Sequence, residues 1–517
     1  MKNSQIEAAW KYHNGTKHSS QSVRLHRHYL DWENQPLPLK IYSDLAPIPL
    51  PEDLSSSGMA ALSAIAGTPV MPGATLTRQF LAEILFLSAG ITRRRNYPGG
   101  EMLFRAAACT GALYHVDLYV VCGDLEDLAA GVYQFSPQDF SLRCLRAGDY
   151  RPVVVHASGA EPAVSQASCV IVSVSTFWRN AWKYQARAYR HCYWDDGTIL
   201  ANLLAAAAAR GVPSKLVLGF IDEKVTELFA LDSRREAPLS LLALGRLPTG
   251  NIEASPFMAP LALATEPLSK SEVDYPAMRA MHEASSLENE AEVRAWRGAV
   301  ETAEDERIRD NNSRKGIFAL QPLSDDHVTP DTIEAVITRR GSTREFSREP
   351  ITFAQLSTAL DRATRGLDAD FLAAADSPLT ELYLIVHAVD GLAPGAYVFR
   401  RDERALELLS EGDFRSEAGH LGLDQDIPAD CSVNIYFLTD LEKVLARFGN
   451  RGYRAAQLEA AIMGGKIYLA AYAQRLGASG LTFYDDEVTE FFCPDAAGKS
   501  VMFLVALGKK LKTSRAT

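Results

Sequence analysis

Two stretches of this chain, KYQARAYR at residues 183–190 and RFGNRGYR at residues 447–454, match each other at a spacing of 264 residues. The same spacing separates three further pairs of stretches: LYVV (118–121) and LYLI (382–385), GVY (131–133) and GAY (395–397), GDYR (148–151) and GDFR (412–415). The pairs that follow are spaced by 263 residues: VTELF (225–229) and VTEFF (488–492), LGR (244–246) and LGK (507–509). One register that holds over more than a hundred residues, with a single-residue slip, predicts that the chain contains the same fold twice.

Within each half, strand patterns alternate with helix patterns. Runs of β-branched and aromatic residues predict strands at 116–122 and 168–175, and a further strand at 432–438 in the second half. An alanine- and leucine-rich segment predicts a buried helix over 198–210, and the second half repeats it over 455–476. This mixture predicts an α+β fold in which helices pack on a mostly antiparallel sheet. We expect the two copies to form a pseudo-homodimer about a pseudo-twofold axis.

The regions outside the repeat set the predicted domain boundaries. We predict an N-terminal extension over 1–55, a first domain over 56–246, a connector over 247–330 and a second domain over 331–517. Neither the extension nor the connector shows a counterpart in the other half. The acidic part of the connector, residues 283–310, predicts a solvated helix between the two copies.

Composition excludes several classes of protein. The 517 residues are 47% hydrophobic and 23% charged, which is typical of globular proteins and excludes fibrous and disordered ones. A net charge of −11 without a basic block argues against nucleic-acid binding, but it is compatible with a single anionic cofactor. Seven cysteines without CxxC pairs indicate reduced thiols, and no apolar stretch has the length of a bilayer span. We therefore expect a cytoplasmic protein whose partners include neither a membrane nor a nucleic acid.

The densest basic cluster is RRGSTR at residues 339–344. Arginine offers paired donors to phosphate oxygens, serine adds a hydroxyl and glycine lets the backbone come close, so the cluster suits a terminal phosphate. The alternative, an ordinary solvated end of a helix or strand, fits these residues equally well. The corresponding stretch of the first half, SAIAGTP at 63–69, contains no arginine, so one copy alone carries this candidate clamp.

Two features of the first half are absent from the second. The segment RAAACTGALY at 105–114 consists largely of small residues that let a flat or anionic ligand approach the backbone, although simple packing explains it as well. Lys183 and Tyr184, which can transfer protons, are replaced by Arg447 and Phe448, which cannot. The alternative interpretation of that pair is a surface lysine beside a core tyrosine.

The sequence favours neither a metal site nor a nicotinamide-binding domain. His191 and Cys192 are adjacent, so their side chains diverge on a regular helix or strand and do not readily share one ion. No GxGxxG motif follows a predicted strand, which argues against a Rossmann domain.

Several motifs resemble those of one flavoprotein family. RRGSTREF (339–346) resembles the Arg-Arg-Ser-x-Arg-x-Phe opening of nitroreductase-like flavoproteins. ACTGALYHVDLYVV (108–121) resembles the Pro-Ser-Ala-Gly-Ala-Leu-Tyr-Pro-Val-Glu-Leu-Tyr segment of SagB-type dehydrogenases, which include the azoline oxidases of thiazoline- and oxazoline-containing peptides. Lys183-Tyr184 matches the position of a catalytic Lys-Tyr pair in those oxidases, and residues 10–32 resemble their N-terminal region. Cys109-Thr110 replaces the family's Ser-Ala, and His115 replaces its proline; we interpret this histidine as filling space.

The resemblance implies an FMN site between the two copies, with one functional flavin per chain. It assigns the FMN phosphate to Arg339, Arg340, Ser342 and Arg344, with a further charge from Lys509 or Lys510. It assigns the flavin ring to Ala108, Cys109, Thr110 and Gly111, and the neighbourhood of its N5 and O4 atoms to Ser479 and Gly480. Lys183 and Tyr184 become the candidates for proton transfer.

The function expected from the resemblance is that of an FMN-dependent oxidoreductase, which takes hydride from a small-molecule or peptide substrate and is reoxidised by O2. One alternative is an NAD(P)H-dependent nitro- or quinone reductase. Another is a non-catalytic protein that retains the fold to bind a peptide or a partner enzyme. The sequence leaves open the substrate and whether the fused pair forms a further homodimer.

Overall fold

The computed structural model describes residues 2–25, 28–67, 76–97, 100–246, 255–299, 316–324, 331–372 and 378–511. The strands are, in chain order, β1 (Pro47–Pro49), β2 (Ile91–Tyr97), β3 (Gly100–Arg105), β4 (Val116–Cys122), β5 (Gly131–Ser136), β6 (Ser141–Ala147), β7 (Cys169–Thr176), β8 (Ser214–Val217), β9 (Glu236–Leu244), β10 (Ile317–Ala319), β11 (Ile351–Thr352), β12 (Glu381–Val386), β13 (Val389–Asp390), β14 (Gly395–Arg400), β15 (Ala405–Glu411), β16 (Val433–Thr439), β17 (Gly477–Gly480) and β18 (Ser500–Gly508).

The helices surround these strands. They are α1 (Glu7–Gly15), α2 (Ser20–Leu25), α3 (Ala61–Ala66), α4 (Arg78–Ala89), α5 (Arg151–Ala157), α6 (Pro162–Ser165), α7 (Phe177–Tyr184), α8 (Ala188–Ala209), α9 (Asp222–Leu228), α10 (Pro276–Ala284), α11 (Glu290–Gly298), α12 (Ile333–Arg339), α13 (Phe353–Ala363), α14 (Arg415–Leu421), α15 (Asp426–Asp430), α16 (Leu441–Phe448), α17 (Arg451–Ala473) and α18 (Asp485–Phe491). Among the described residues, none of these helices combines the length and apolar composition that a bilayer span requires.

Each half of the chain builds a seven-stranded antiparallel sheet, and the two sheets have the same topology. The strand order is β1-β6-β5-β4-β7-β9-β8 in the first sheet and β10-β15-β14-β12-β16-β18-β17 in the second. This confirms the predicted duplication and the α+β class. The strand predicted at 116–122 is β4, and the helix predictions at 198–210 and 455–476 fall on α8 and α17.

The single-residue slip in the repeat lies at one connection. Ser214 of β8 pairs with Leu244, and Ala478 of β17 pairs with Leu507, the counterpart of Leu244. Ser214 and Ala478 are therefore equivalent, and the spacing between β8 and β17 is still 264. It is 263 from Asp222 and Asp485 onward, at the first residues of α9 and α18. The first half therefore has four residues at 218–221 where the second half has three at 482–484.

The central helices α8 and α17 cross each other closely, because glycine meets alanine at two reciprocal points. A Cβ on Gly197 would lie 2.5 Å from the Cβ of Ala461, and one on Gly465 would lie 2.6 Å from the Cβ of Ala201. In each contact the glycine and the alanine that it meets are 264 residues apart, which is the repeat spacing. The helix crossing therefore obeys the pseudo-twofold axis that the duplication predicts.

Two buried ion clusters join the halves in the same reciprocal manner. Arg187 and Arg190 of the first half bind Asp485 of the second, with N–O distances of 2.9 and 2.5 Å. Arg451 and Arg454 of the second half bind Asp222 of the first, at 2.7 and 2.6 Å. Burial alone would raise the pKa of Asp222, but the charges of Arg451 and Arg454 outweigh it and hold that pKa at about 2. The pKa of Asp485 is lowered in the same way.

The N-terminal extension and the connector contain counterparts of each other, contrary to expectation. In the first half, Arg190 donates to the His13 carbonyl (2.8 Å) and the Thr16 hydroxyl (3.1 Å), at the C-terminal end of α1. In the second half, Arg454 donates to the His282 carbonyl (2.7 Å) and the Ser285 hydroxyl (2.8 Å), at the C-terminal end of α10. Strands β1 and β10 likewise take equivalent edges of the two sheets. The predicted domain boundaries themselves stay predictions.

The prediction of a solvated helix over 283–310 is corrected in its described part. The last two residues of α10 and the whole of α11 lie there, and α11 is an amphipathic helix that buries Val293 and Trp296. The charged residues of α11 occupy its outer face, which explains the acidic composition. The rest of that prediction, residues 300–310, lies outside the described residues.

We expect Asp222→Asn to lower the free energy of unfolding by about 3–5 kcal/mol, because it leaves two buried arginines without a counter-charge. Folding lowers the pKa of Asp222, so this stabilisation is present above the unfolded pKa of about 4 and is lost as the pH falls toward 2. Urea unfolding of both proteins as a function of pH measures it. The control is Asp274→Asn, which breaks a partly exposed pair with Arg279 and should change the free energy by less than about 1 kcal/mol. Equal effects of the two variants at neutral pH would contradict the assignment.

Candidate active site

Two adjoining cavities, of about 410 and 860 Å³, lie between the halves. They share four lining residues: Ala108 and Cys109 from the first half, Ser342 and Arg344 from the second. Lys183 and Tyr184 also line the smaller cavity, and all six residues of the candidate clamp, 339–344, line the larger one. The three sequence features that differ between the copies therefore meet at one place.

The loop after β3 is fixed by Asp195 of α8. The Asp195 carboxylate accepts hydrogen bonds from the Thr110 backbone N–H (2.8 Å), the Thr110 hydroxyl (2.7 Å) and the Cys109 thiol (3.0 Å). Gly111 has a φ of +66°, and a Cβ on it would lie 2.8 Å from the Tyr184 hydroxyl. Glycine is thus required both for the left-handed turn and for the close approach of Tyr184.

His115 belongs to the same network, which corrects its interpretation as a space-filling residue. It is fully buried; its Nε2 lies 2.8 Å from Asp195 Oδ2, and its Nδ1 lies 2.8 Å from the Ser175 hydroxyl. The imidazole therefore orients the carboxylate that holds the loop. Asp195 was not identified from the sequence. The feature that could have indicated it is the pair Asp195-Asp196, two adjacent acidic residues in a buried helix.

Cys109, His115 and Asp195 also form a group whose polar atoms lie within 4.8 Å of one another, the spacing of a metal site. Burial and the Asp195 carboxylate raise the pKa of the Cys109 thiol well above its usual value. A thiol that stays protonated and donates to Asp195 fits a hydrogen-bond network better than a ligand set, which requires a thiolate.

The clamp arginines divide into two kinds. Arg339 is bonded to Asp331 (2.7 Å) and to the Tyr472 carbonyl (2.9 Å). Arg340 crosses between the halves and donates to the carbonyls of Ala106 (2.8 Å) and Arg105 (3.1 Å). Both arginines therefore form part of the cavity wall. Their predicted role at a phosphate would have to use the N–H groups that these bonds leave free.

The other clamp residues face the cavities more freely. Arg344 is exposed, and among the described residues it has no hydrogen-bond partner. Ser342 lies 3.3 Å from the Tyr468 hydroxyl. Of the two candidate lysines, Lys510 lines the larger cavity, where its Nζ lies 3.6 Å from the centre of the Tyr472 ring. Lys509 pairs with Glu349 instead, at 3.5 Å, and is not among the lining residues.

Strand β17 and the residues after it close the smaller cavity. Gly480 lines it, and its N–H donates to the Tyr468 hydroxyl. Ser479 is fully buried and lines neither cavity, so the structure does not bring it to the site. Thr482 does line the cavity, and its buried hydroxyl has no hydrogen-bond partner among the described residues. An orphaned polar atom of this kind indicates a position for a ligand.

Lys183 and Tyr184 end helix α7 at the smaller cavity. Burial and the charge of Arg344 lower the pKa of Lys183, which brings it closer to a neutral amine. Burial and the carboxylate of Asp195 raise the pKa of Tyr184, which keeps its phenol protonated. The Tyr184 ring meets the edge of His191 at 4.6 Å, and burial holds the pKa of His191 well below its usual value. Both side chains line the smaller cavity, so Lys183 and Tyr184 remain candidates for proton transfer.

At the pseudo-symmetric position, a segment of the second half takes the place of a cavity. The Leu216 N–H donates to the Asp368 carbonyl (2.9 Å), and the Asp370 N–H donates to the Leu216 carbonyl (3.0 Å). The Asp370 carboxylate then accepts the N–H groups of Leu218 (2.8 Å) and Gly219 (2.9 Å). Leu216 is the counterpart of Gly480, and Leu218 and Gly219 belong to the connection that corresponds to 482–484; Gly480 and Thr482 line the open cavity.

The remaining space at that position is small. Gly67 and Gly366 touch, since a Cβ on Gly67 would lie 3.2 Å from Gly366 Cα. About 120 Å³ remains beside Lys466, whose amine donates to the Arg365 carbonyl at 2.5 Å. Arg447, the counterpart of Lys183, donates to the Ala299 carbonyl at 2.9 Å. Residues 373–377, the counterpart of the first half's loop, lie outside the described part of the chain.

Comparison with known proteins locates the same repeat. The Nitroreductase family model matches the chain twice, over residues 79–246 and 337–509. The crystal structure of a provisionally named nitroreductase from Anabaena variabilis is similar over 98% of this chain and 99% of its own, with 26% sequence identity and a TM-score of 0.76. The tandem arrangement as a whole therefore has a counterpart in a solved structure.

Two curated proteins are similar to single regions of the chain. The provisionally named nitroreductase MJ1384 of Methanocaldococcus jannaschii is 25% identical over 171 residues, which are 33% of this chain and 81% of that protein. The microcin B17-processing protein McbC of Escherichia coli is 25% identical over 162 residues, which are 29% of this chain and 54% of McbC.

We expect Asp195→Asn to weaken the hydrogen bonds that hold the loop at residues 109–114. In the wild type, Cys109 and Thr110 donate to the two oxygens of one carboxylate; in the variant, an NH₂ group, which cannot accept, replaces one of these oxygens. Hydrogen bonds to a charged group contribute about 1.5–3 kcal/mol each, so amide exchange of Thr110 should quicken by at least about tenfold. Hydrogen–deuterium exchange of peptides that cover the loop measures this. The matched control is the neighbouring Asp196→Asn, since Asp196 bonds to Ser240 and burial already raises its pKa to about 7. Exchange of Thr110 at the wild-type rate in Asp195→Asn would contradict this role.

Proposed function

The chain belongs to the nitroreductase family of oxidoreductases, and we propose that it is an FMN-dependent dehydrogenase or oxidase of the SagB type. We propose further that it holds one flavin per chain in the two adjoining cavities and acts on a small-molecule or peptide substrate. The similarity to McbC, a protein that processes microcin B17, supports the peptide alternative.

The observation that carries this proposal is the complementary asymmetry of the two halves. The clamp of the second half and the loop of the first border one pair of cavities, at Ser342, Arg344, Ala108 and Cys109. At the equivalent position, Asp370 already accepts the backbone N–H groups that a ligand would need. One composite site is therefore open, and the other is filled by the chain itself.

The residues around the open cavities fit the chemistry of FMN. Arg344 and Lys510 offer positive charge and Ser342 a hydroxyl, which suits a phosphate in the larger cavity. The small residues Ala108 to Gly111 let a flat ring approach their backbone, and the unpartnered Thr482 hydroxyl offers a polar contact in the smaller cavity. Bound FMN would supply the hydride acceptor at N5, which no amino acid side chain provides.

The chain's own residues would then bind, orient and exchange protons. Lys183, with its lowered pKa, would accept the proton that a substrate gives up, and Tyr184 would hold or return a proton as a phenol. His191 and Trp194 wall the cavity behind Tyr184 and limit the access of water. The Asp195 network would keep the loop of residues 109–111 in register with the clamp across the cavity.

A second candidate function is an NAD(P)H-dependent nitro- or quinone reductase, which the names of the Methanocaldococcus and Anabaena relatives favour. Anaerobic mixing of the FMN-loaded protein with NADPH, and separately with a thiazoline-containing peptide, distinguishes the two. Bleaching of the flavin by the peptide supports the dehydrogenase. Rapid bleaching by NADPH alone supports the reductase. A purified protein that stays colourless after reconstitution with FMN would instead support a binding protein.

We expect FMN titration to saturate at one flavin per chain, and Arg344→Ala to weaken FMN binding by at least about tenfold, because a charge-assisted bond to phosphate is lost. Quenching of flavin fluorescence measures both quantities. The control is Arg348→Ala, four residues along the same segment, whose arginine pairs with Asp430 on the surface. Saturation at two flavins, or equal affinity of both variants, would contradict the proposal.

We expect Lys183→Met to slow peptide oxidation by about 10²–10⁴-fold while the protein keeps its flavin, because the general base is lost. Wild-type turnover should rise with pH through the lowered pKa of Lys183, and the variant should lose this rise. The matched control is Arg447→Met, the equivalent substitution in the other half, which should leave turnover unchanged. Full activity of Lys183→Met would remove the lysine from the catalytic residues.

A further inference from the structure

The hairpin of β2 and β3 presents one of its faces to the larger cavity. Arg93 pairs with Phe104 across the two strands, and Arg95 pairs with Met102. All four of these side chains line the cavity. Arg94 lies on the opposite face, where it bonds to Glu101 (3.0 Å) and to the Gln138 carbonyl (3.4 Å). The hairpin therefore forms one amphipathic, basic wall of the site.

The positive charges of Arg93 and Arg95 in this wall are not balanced by nearby carboxylates within the part of the chain that the structure describes. Arg93 packs over the Phe104 ring at 4.3 Å, and neither Arg93 nor Arg95 has a carboxylate partner among the described residues. Glu345 is the one acidic residue among those that line the larger cavity. The charge of Arg93 also contributes to the lowered pKa of Arg340, behind the burial of that guanidinium, so the cations repel one another across the cavity.

One phosphate does not account for all of these cations. Arg344 and Lys510 suffice for a phosphate dianion, while Arg105, Arg339 and Arg340 already bond to protein groups. Arg93 and Arg95 remain. They lie two residues apart on a strand, and such residues are separated by about 7 Å along one face. This spacing matches acidic side chains at alternate positions of an extended chain rather than a single further phosphate.

The backbone of the hairpin supports the same occupant. The hairpin is a separate two-stranded sheet, so the outer edges of β2 and β3 have no strand partner among the described residues. An unpaired strand edge is a common docking surface for extended peptides. Met102, which is 46% exposed and lies opposite Arg95 on the neighbouring strand, adds an apolar surface beside the arginines.

We propose that the β2–β3 hairpin is a docking site for an acidic, extended segment of a peptide substrate, held by Arg93 and Arg95 beside the cavity. The peptide as substrate rests on the proposed function; the binding of an acidic peptide does not. The hairpin would thereby favour substrates that carry Asp or Glu at alternate positions near the reacting residue.

The test uses a fluorescein-labelled peptide with glutamate at alternate positions, and a lysine version of it, added to the FMN-loaded full-length protein. Fluorescence anisotropy should show binding of the glutamate peptide, weakened by salt, and no binding of the lysine peptide. The double variant Arg93→Gln/Arg95→Gln should bind at least about tenfold more weakly. The control Arg94→Gln, on the opposite face of the same strand, should bind like the wild type.

The flavin content of the variants separates this proposal from the assignment of the cofactor site. Unchanged FMN occupancy with lost peptide binding supports the docking site. Loss of FMN in the double variant would assign both arginines to the flavin and overturn the docking site, while the family function would stand. Equal peptide binding in all variants would also overturn the docking site. Binding of NADPH, instead of the peptide, that depends on Arg93 and Arg95 would overturn it too. If Arg344→Ala keeps its FMN while peptide binding still depends on Arg93 and Arg95, the cofactor assignment fails and the docking site survives.

Discussion

Each of the two buried clusters of two arginines and one aspartate joins the halves, and one of them also fixes two walls of the candidate site. Arg187 lies four residues after Lys183 and three after Tyr184, and Asp485 lies four residues after Leu481 and three after Thr482. The ion pair between Arg187 and Asp485 therefore joins the wall that carries the candidate proton-transfer residues to the wall that carries the unpartnered threonine. Ion pairs of this kind gain stability only when both charges are present and well bonded, so the geometry of the site depends on the integrity of the interface.

An equivalent ion pair exists at the pseudo-symmetric position, but there the chain fills most of the space that is open at the candidate site. Arg451 and Asp222 hold the counterpart walls with similar distances. The differences lie in side chains: Asp370 bonds to the strand edge, Arg447 replaces Lys183, and Gly67 meets Gly366. The ion clusters therefore keep the interface symmetric even though the space at the two equivalent positions differs.

The fold was largely predictable because the repeat register constrains many residues at once. The equivalence of α1 and α10 was not predictable, because it depends on the backbone carbonyls of His13 and His282 and on one hydroxyl after each helix, which place little demand on the sequence. The composition of the site was predictable in part. Arg344, Lys183 and Gly111 do line the cavities, since their residue types match the chemistry that a ligand requires.

The rest of the site depended on partners that no linear pattern reveals. Arg340 was predicted at a phosphate, but its donors reach the carbonyls of the opposite half. His115 and Asp195 are 80 residues apart in sequence, and their bond becomes evident only when α8 packs behind the loop. Asp370 has no motif at all; its role follows from the strand edge that it happens to meet. Polar groups buried in a fold must find partners, and those partners are decided by packing rather than by residue type.

The charge of the chain illustrates the same limit. A net charge of −11 argued against nucleic-acid binding, yet the charged residues that line the larger cavity are mainly cations. Charges farther away than about 8 Å are largely screened at physiological ionic strength, so the acidic exterior contributes little at the cavity. The local field is set by the arginines of the clamp and of the hairpin, whose low-dielectric walls strengthen it. An acidic protein can therefore select an anionic ligand, provided that its few unpaired cations converge on one cleft, as Arg93, Arg95 and Arg344 do here.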